Sequence, residues 1–404
     1  MKNMSPEFLP TTWCSDFKHE LNQILEFWMN HAPDDAQGGF HGELGDDGTP
    51  KAGAIRGSVL NARILWTFSA AYNLNGDERY LAMAQRAFTY LRSAFIDPVH
   101  GGVYWSVTAK GRPDDLKKQI YALSFAIYGL AEFYKAEQDQ EALDIAVALY
   151  NSIERHSYDP QQSGYFEAFS RDWGHLEDLR LSDKDANEKK TMNTHLHVLE
   201  AYTNLYRIWP DAQLAIQLRR LIIDFETHII NRQSGHLYLF FDENWQVKSD
   251  TLSYGHDIEA SWLLVEAAEA LHDPEIISRI KQTSIAIAVA AAKGLNDDGS
   301  MNYEYEPATD HLIGERHWWV QAEAVVGYYN AFQISGEKHF LDKALAVWNY
   351  TIKKIIDHDR GEWHWGRQAD DVLMGGYGKG GFWKCPYHNG RACIEMIQRL
   401  SQYQ

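Results

Sequence analysis

Apolar positions recur at spacings of three and four over Leu60–Ala71 and again over Tyr80–Ala94, with Asn75-Gly76-Asp77 between the two stretches. The same pair returns at Tyr121–Tyr134 and Glu141–Ile153. Such spacing is that of a helix with one buried face, and a turn tripeptide between two such stretches predicts a helix hairpin. Between hairpins the pattern changes to a glycine beside aromatic or apolar residues in short alternating runs, which predicts tight turns with strand-like arms. These runs read Gly38-Gly39-Phe40, Gly101-Gly102-Val103-Tyr104, Ser163-Gly164-Tyr165-Phe166, Ser234-Gly235-His236-Leu237-Tyr238, Asp298-Gly299-Ser300-Met301-Asn302-Tyr303 and Arg360-Gly361-Glu362-Trp363. From Gly39 to Gly361 the intervals are 63, 62, 71, 64 and 62 residues. A repeat of that length holds two helices and a hairpin, so six copies predict about twelve helices.

The repeat runs from end to end, which predicts one closed domain over residues 1–404 rather than the two or three that length alone suggests. Hairpins of helices either stack openly or close into a ring, and the phase of the chemically capable residues separates the two. Counted from the glycine of its repeat, Arg56 lies 17 residues on, Tyr121 lies 19, Trp319 lies 20, His256 lies 21 and His388 lies 27. Asn193 and His197 lie 29 and 33 on, or 20 and 24 once the nine extra residues of their longer interval are removed. In a closed toroid, residues of one phase face one central cavity at one rim; in an open stack they form a stripe. The expected fold is therefore an all-α (α/α)6 barrel with short β-hairpins at the rim of the site. The charged stretch Glu167–Lys190 accounts for the long interval and reads as an inserted loop. The glycine-rich stretch Asp370–Gly381 reads as a mobile loop; it lacks the spacing of a phosphate-binding loop.

Composition narrows the function. Hydrophobic residues make up 45% of the chain, enough for a large core, and no run approaches the ~18 apolar residues of a membrane span. The start, Met1-Lys2-Asn3-Met4-Ser5-Pro6, lacks the order of a secretory signal, and Cys14, Cys385 and Cys393 make no disulfide framework. A cytoplasmic protein is expected. A net charge of −18 with no Lys/Arg cluster argues against nucleic acid as a partner.

His256 and His388 each stand where a loop meets a helix. A lone histidine is more often a satisfied core residue, but three at matched phase make a candidate site. His197 follows Asn193 by four and His256 precedes Glu259 by three, so each pair shares a helix face. A metal is not expected, because Cys385, His388 and Cys393 lack a fourth ligand and paired short spacings, and His195 and His197 point to different faces. Trp319 precedes Glu323 by four and Trp383 precedes His388 by five, placing indoles beside ionisable groups. With the carboxylates Asp185, Glu259 and Glu323, that mixture suits a sugar, whose C–H faces stack while its hydroxyls need acceptors. Two reactions fit: glycoside hydrolysis through Glu259 and Glu323, or removal of the proton on the carbon next to an aldehyde by an imidazole poised near neutrality. Two histidines on opposite walls would invert that carbon through an enediolate, with a cation such as Arg56 on the oxyanion.

The stretches Leu60-Asn61-Ala62-Arg63-Ile64-Leu65-Trp66, Met192-Asn193-Thr194-His195-Leu196-His197, Gly255-His256-Asp257-Ile258-Glu259, Arg316-His317-Trp318-Trp319-Val320-Gln321-Ala322-Glu323 and Phe382-Trp383-Lys384-Cys385-Pro386-Tyr387-His388-Asn389-Gly390-Arg391 resemble the cellobiose 2-epimerases, part of the wider N-acylglucosamine 2-epimerase group. The resemblance implies the same barrel. It also implies His256 and His388 as the two acid/base residues, His197 as an aid to ring opening or proton relay, and Arg56 as the oxyanion partner. Tyr121, Asp185, Asn193, Glu259, Trp319, Glu323 and Trp383 are implied as sugar-binding positions. No metal, nucleotide or redox cofactor is implied. The implied substrates are β-1,4-linked disaccharides with a free reducing end, such as cellobiose and lactose. A monomer is expected. Ketose formation and epimerisation of mannose or N-acylglucosamine are the variants within the group; a glycosidase or a non-catalytic sugar binder are the alternatives outside it.

Overall fold

The computed structural model describes residues 12–401, so the start from Met1 to Pro6 lies outside the described residues. In chain order the helices are α1 (Trp13–His31), α2 (Ser58–Asn75), α3 (Glu78–Tyr90), α4 (Ile120–Glu137), α5 (Gln140–His156), α6 (Met192–Ile208), α7 (Ala212–Asp224), α8 (Tyr254–Ala270), α9 (Pro274–Ala291), α10 (Trp318–Ser335), α11 (Lys338–Lys354) and α12 (Tyr387–Ser401). The even-numbered helices form an inner ring in which each packs on the next and α12 returns to α2. Helices α2, α4, α8 and α10 are buried on every side over most of their length, as expected of helices surrounded by protein. Helices α3, α5, α7 and α11 bury only one stripe and form the outer layer. Each inner helix pairs with the outer helix that follows it, except that α12 pairs with α1 from the other end of the chain. That exchange closes the (α/α)6 barrel.

Local chemistry explains the corners. Asp77, Asp139, Asp211 and Asp273 stand at the N-caps of α3, α5, α7 and α9 and accept from backbone N–H groups of the first turn. Each such cap stabilises its helix by about 1 kcal/mol. The six repeat glycines all adopt positive φ, from 62° at Gly39 to 101° at Gly361. A Cβ at Gly164 would lie 2.3 Å from the ring of Trp245, so both backbone and space require glycine there.

The strands differ from the sequence expectation in one respect. Each glycine turn is closed by a single bridge, such as Ile96 with Val103 or Tyr158 with Tyr165. The two-residue strands instead join neighbouring repeats: β1 (Arg56–Gly57) pairs with β2 (Ser106–Val107), β3 (Lys118–Gln119) with β4 (Ala168–Phe169), and β5 (Lys190–Thr191) with β6 (Phe240–Phe241). Further round, β7 (Leu252–Ser253) pairs with β8 (Glu304–Glu306), itself paired with β9 (His311–Ile313), and β10 (Arg316–His317) pairs with β11 (Gly366–Arg367). A bridge from Leu44 to Gly380 links the first and last repeats. The glycine-rich loop is thereby anchored, with the buried Lys379 paired to Asp357 at 2.8 Å. No helix among the described residues is long and apolar enough to cross a membrane.

Candidate active site

Every inner helix contributes a residue of its first two turns to a single cavity of about 640 Å3. Arg63 comes from α2, Tyr121 from α4, Asn193 and His197 from α6, His256 and Glu259 from α8, Trp319 from α10 and His388 from α12. The inserted loop adds a wall from Leu179 to Glu188, including Asp185, whose carboxylate accepts from Ser182 N at 2.9 Å and Ser182 Oγ at 3.1 Å. Trp365, Tyr377 and Trp383 complete the mouth, with Trp365 and Tyr377 stacked at 4.6 Å. The glycine-rich loop contributes only Tyr377 of these, so the inserted loop is the larger wall.

Four histidines line the cavity; His317 meets Glu315 Oε2 through Nε2 at 2.7 Å, and the three singled out in the sequence are each held at Nδ1. His388 meets Glu323 Oε1 at 2.6 Å, His197 meets Glu200 Oε2 at 2.9 Å, and His256 meets Ser253 Oγ at 2.7 Å. Trp319 packs beside two of them, its ring centroid 4.8 Å from that of His256 and 5.6 Å from that of His388. His195 is turned away, as its spacing predicted: it accepts from Tyr165 N at 2.9 Å in the core behind the cavity. Burial, reinforced by the facing His197, pushes His256 down to about 3. Burial likewise pushes His388 well below the imidazole range, with Arg63 and Arg391 adding to it, and raises Glu323. Both of the latter directions move one shared proton towards the carboxyl side of a short contact.

Behind these histidines lies Arg391, fully buried. Its Nη2 donates to Glu259 Oε1 and Glu323 Oε1, each at 2.6 Å, and its Nη1 donates to Glu200 Oε1 and the Tyr387 hydroxyl oxygen. Burial and the neighbouring Glu323 charge raise Glu259 to about 7 against the pull of Arg391. Burial disfavours charge on Glu200 too, but there Arg391, His197 and Tyr387 win and hold it near 2. Glu259, Glu323 and His388 bring ligand-type atoms within 4.8 Å of one another. The Arg391 guanidinium bridges those carboxylates, filling the cationic place that such a cluster offers.

Of the residues singled out in the sequence, His197, His256, His388, Tyr121, Asp185, Asn193, Glu259, Trp319 and Trp383 line the cavity together. Asn193 Oδ1, buried, accepts no hydrogen bond from the described residues, which leaves it for a hydroxyl donor. Two residues are placed elsewhere. Glu323 stands behind His388, accepting also from Trp262 Nε1 at 3.1 Å, and does not line the cavity. Arg56 lies outside the cavity, 1% exposed, donating to Asp34 at 2.5 Å, Gly38 O at 2.6 Å and the Tyr90 hydroxyl at 2.9 Å.

The reason for the Arg56 correction is a repeated clamp. Asp34, Asp97, Asp159 and Asp357 each accept from the backbone N–H groups two and three residues on, shaping a glycine turn. Each also binds one buried cation, respectively Arg56, Lys118 (3.0 Å), Lys190 (2.8 Å) and Lys379 (2.8 Å). Replacing Arg56 by Met should therefore cost stability, about 3–5 kcal/mol for a buried pair broken on one side, while kcat of the folded fraction changes less than about threefold. Urea unfolding and turnover measured on the same preparation check this; a large kcat loss at full stability would return Arg56 to the chemistry.

Arg63 is the inner-helix cation that faces the cavity, which Arg180 and Lys184 of the inserted loop also line. It donates to the Tyr121 hydroxyl at 2.8 Å and lies over Phe125 and Tyr387 at 4.1 and 4.7 Å. A sequence signal for it exists: Arg63, Glu259 and Glu323 all lie 24 residues after their glycines, as does His197 after the nine-residue correction. Glu200 and Arg391, three residues after His197 and His388, had only helix-face proximity to mark them.

A toroid with paired imidazoles at its mouth defines a class as well as a fold. The family model described as N-acylglucosamine 2-epimerase (GlcNAc 2-epimerase) matches residues 38–390, and the chain belongs to that family of carbohydrate epimerases. The cellobiose 2-epimerase of Bacteroides fragilis is 52% identical over 94% of this chain and 97% of its own, and that of Dictyoglomus turgidum is 36% identical over 95% and 97%. Among solved structures, cellobiose 2-epimerase from Bacillus thermoamylovorans superposes with a TM-score of 0.92 at 40% identity, covering 96% of this chain and all of the other.

Proposed function

We propose that the protein inverts C2 of the reducing-end glucose of β-1,4-linked disaccharides, converting cellobiose to glucosyl-mannose and lactose to epilactose, with the whole chain acting as one catalytic domain. The observation that carries this reading is the pair His256 and His388, both beside Trp319 and each fixed at Nδ1 by a different partner. The names of the relatives supply the substrate class.

After the ring opens, C2 lies next to an aldehyde and its proton becomes acidic. His256, kept neutral by burial, takes that proton at Nε2. The electron pair moves into an enediolate, whose charge Arg63 and the N-terminal ends of the inner helices favour. His388 returns a proton from the other face, replenished at Nδ1 by the proton it shares with Glu323. In the reverse direction the two exchange roles, and solvent exchange resets both. His197 with Glu200 assists ring opening at the C1 oxygen. Asn193, Asp185, Tyr121, Glu259, Trp319 and Trp383 bind hydroxyls and sugar faces. Hydrolysis is disfavoured because Glu323 does not line the cavity and Glu259 shares its counter-ion with it.

Incubation with cellobiose over a range of pH tests this. The expected product is glucosyl-mannose without free glucose. A base works only while unprotonated, so a lowered imidazole pKa extends activity into acid: kcat/KM should stay level through about pH 6.5, the ordinary imidazole value. Free glucose, or an acid limb centred at that ordinary value, would contradict the reading.

A further inference from the structure

Ser253 occupies the N-cap of α8, the position at which serine ordinarily accepts a hydrogen bond from the backbone N–H two or three residues on. It makes no such bond. Its Oγ instead meets the side chain three residues on, His256 Nδ1, at 2.7 Å. Thr191, in the matching place on α6, caps in the usual way, accepting from Thr194 N at 3.1 Å. Ser253 is fully buried and its backbone is fixed by pairing with Glu304 across β7 and β8, so the hydroxyl is presented rigidly to the imidazole.

His197 and His388 both rest on carboxylates, whereas His256 rests on this neutral hydroxyl. A ring that accepts a proton at Nε2 must carry its own proton on Nδ1, and that N–H needs an acceptor. We infer that Ser253 is a positioning residue that gives up its helix-capping role to hold His256 in the Nδ1–H form, with Nε2 presented to the C2 proton. The inference rests on the proposed epimerase reading.

Because no cap bond is lost, Ser253→Ala should keep the thermal midpoint of the wild type and a KM within about twofold, yet lower kcat at least about tenfold; Ser253→Thr should recover most of that loss. A merely structural serine would give the opposite split, a lower midpoint with kcat retained, and that result overturns the inference. Nitrogen-15 NMR of the imidazoles in the wild-type protein decides independently of any variant's folding: a His256 neutral tautomer protonated at Nδ1 supports it, and one protonated at Nε2 overturns it. If wild-type protein leaves cellobiose unchanged, the functional reading fails first; if the wild type epimerises and Ser253→Ala does so equally fast, only the role of Ser253 fails.

Discussion

Replacing His388 by Ala is expected to lower turnover of cellobiose by about a thousandfold, within the 10²–10⁴ range of a positioned proton-transfer group, with circular dichroism and the thermal midpoint little changed. His256→Ala should behave alike. The Nδ1 contacts of the two imidazoles go to the side chains of Ser253 and Glu323, so truncation removes a proton acceptor without unpairing a buried backbone group. The carboxyl left behind differs: Glu323 keeps Arg391 and Trp262 as partners when His388 is gone. Disaccharide binding should survive, because Trp319, Trp383, Asn193 and Asp185 remain in place. Steady-state kinetics with isothermal titration of cellobiose on the inactive variants checks both halves. Activity within tenfold of wild type in either variant would remove that histidine from the proton path.

The second large effect belongs to Arg391, which touches no cavity surface. Its guanidinium serves Glu200, Glu259 and Glu323 together, and so supports the partners of His197 and His388 at once. Arg391→Met should destabilise the fold by about 3–5 kcal/mol or more, since removing one side of a buried ionic cluster strands the other. That is a large share of a typical 5–15 kcal/mol of total stability. The loss should depend on pH in a definite sense. Carboxyls stranded in the folded state have their pKa raised above the unfolded value, so the unfolded state binds fewer protons and stability falls as pH rises. The deficit should be greatest above neutrality, where burial has already lifted Glu259 to about 7 in the wild type, and should shrink towards pH 5. Urea midpoints at pH 5 and pH 8 measure it. An equal deficit at both would mean that lost packing against Trp262 and Tyr387, at 4.7 and 4.3 Å, matters more than charge.

The fold was legible because its information is local and repeated. The turn glycines recur six times with helical periodicity between them, and each copy agrees with the others. The pairing of α1 with α12 and the strands that join neighbouring repeats were not legible, because they depend on contacts distant in sequence. The site was legible to the same depth. Phase along the repeat selected Tyr121, Asn193, His197, His256, Trp319 and His388, all of which line the cavity, yet could not tell Arg56 from Arg63, seven residues apart. The first lies on a two-residue strand whose side chain turns out to Asp34, the second on the inner face of α2. Phase also could not separate Glu259 from Glu323, which share it; only the placement of His388 puts one at the surface of the cavity and the other behind an imidazole. Arg391 was invisible as a hub because its three carboxylate partners come from three other helices.

The central claim is that a proton at C2 is exchanged through paired histidines, and one measurement addresses it directly. Cellobiose is incubated with chelator-treated protein in heavy water, and the reducing-end protons are followed by NMR. The account predicts a new mannose-type end carrying deuterium at C2, absent with His388→Ala or His256→Ala. Epimerisation that keeps the original C2 proton, or release of free glucose, would contradict it.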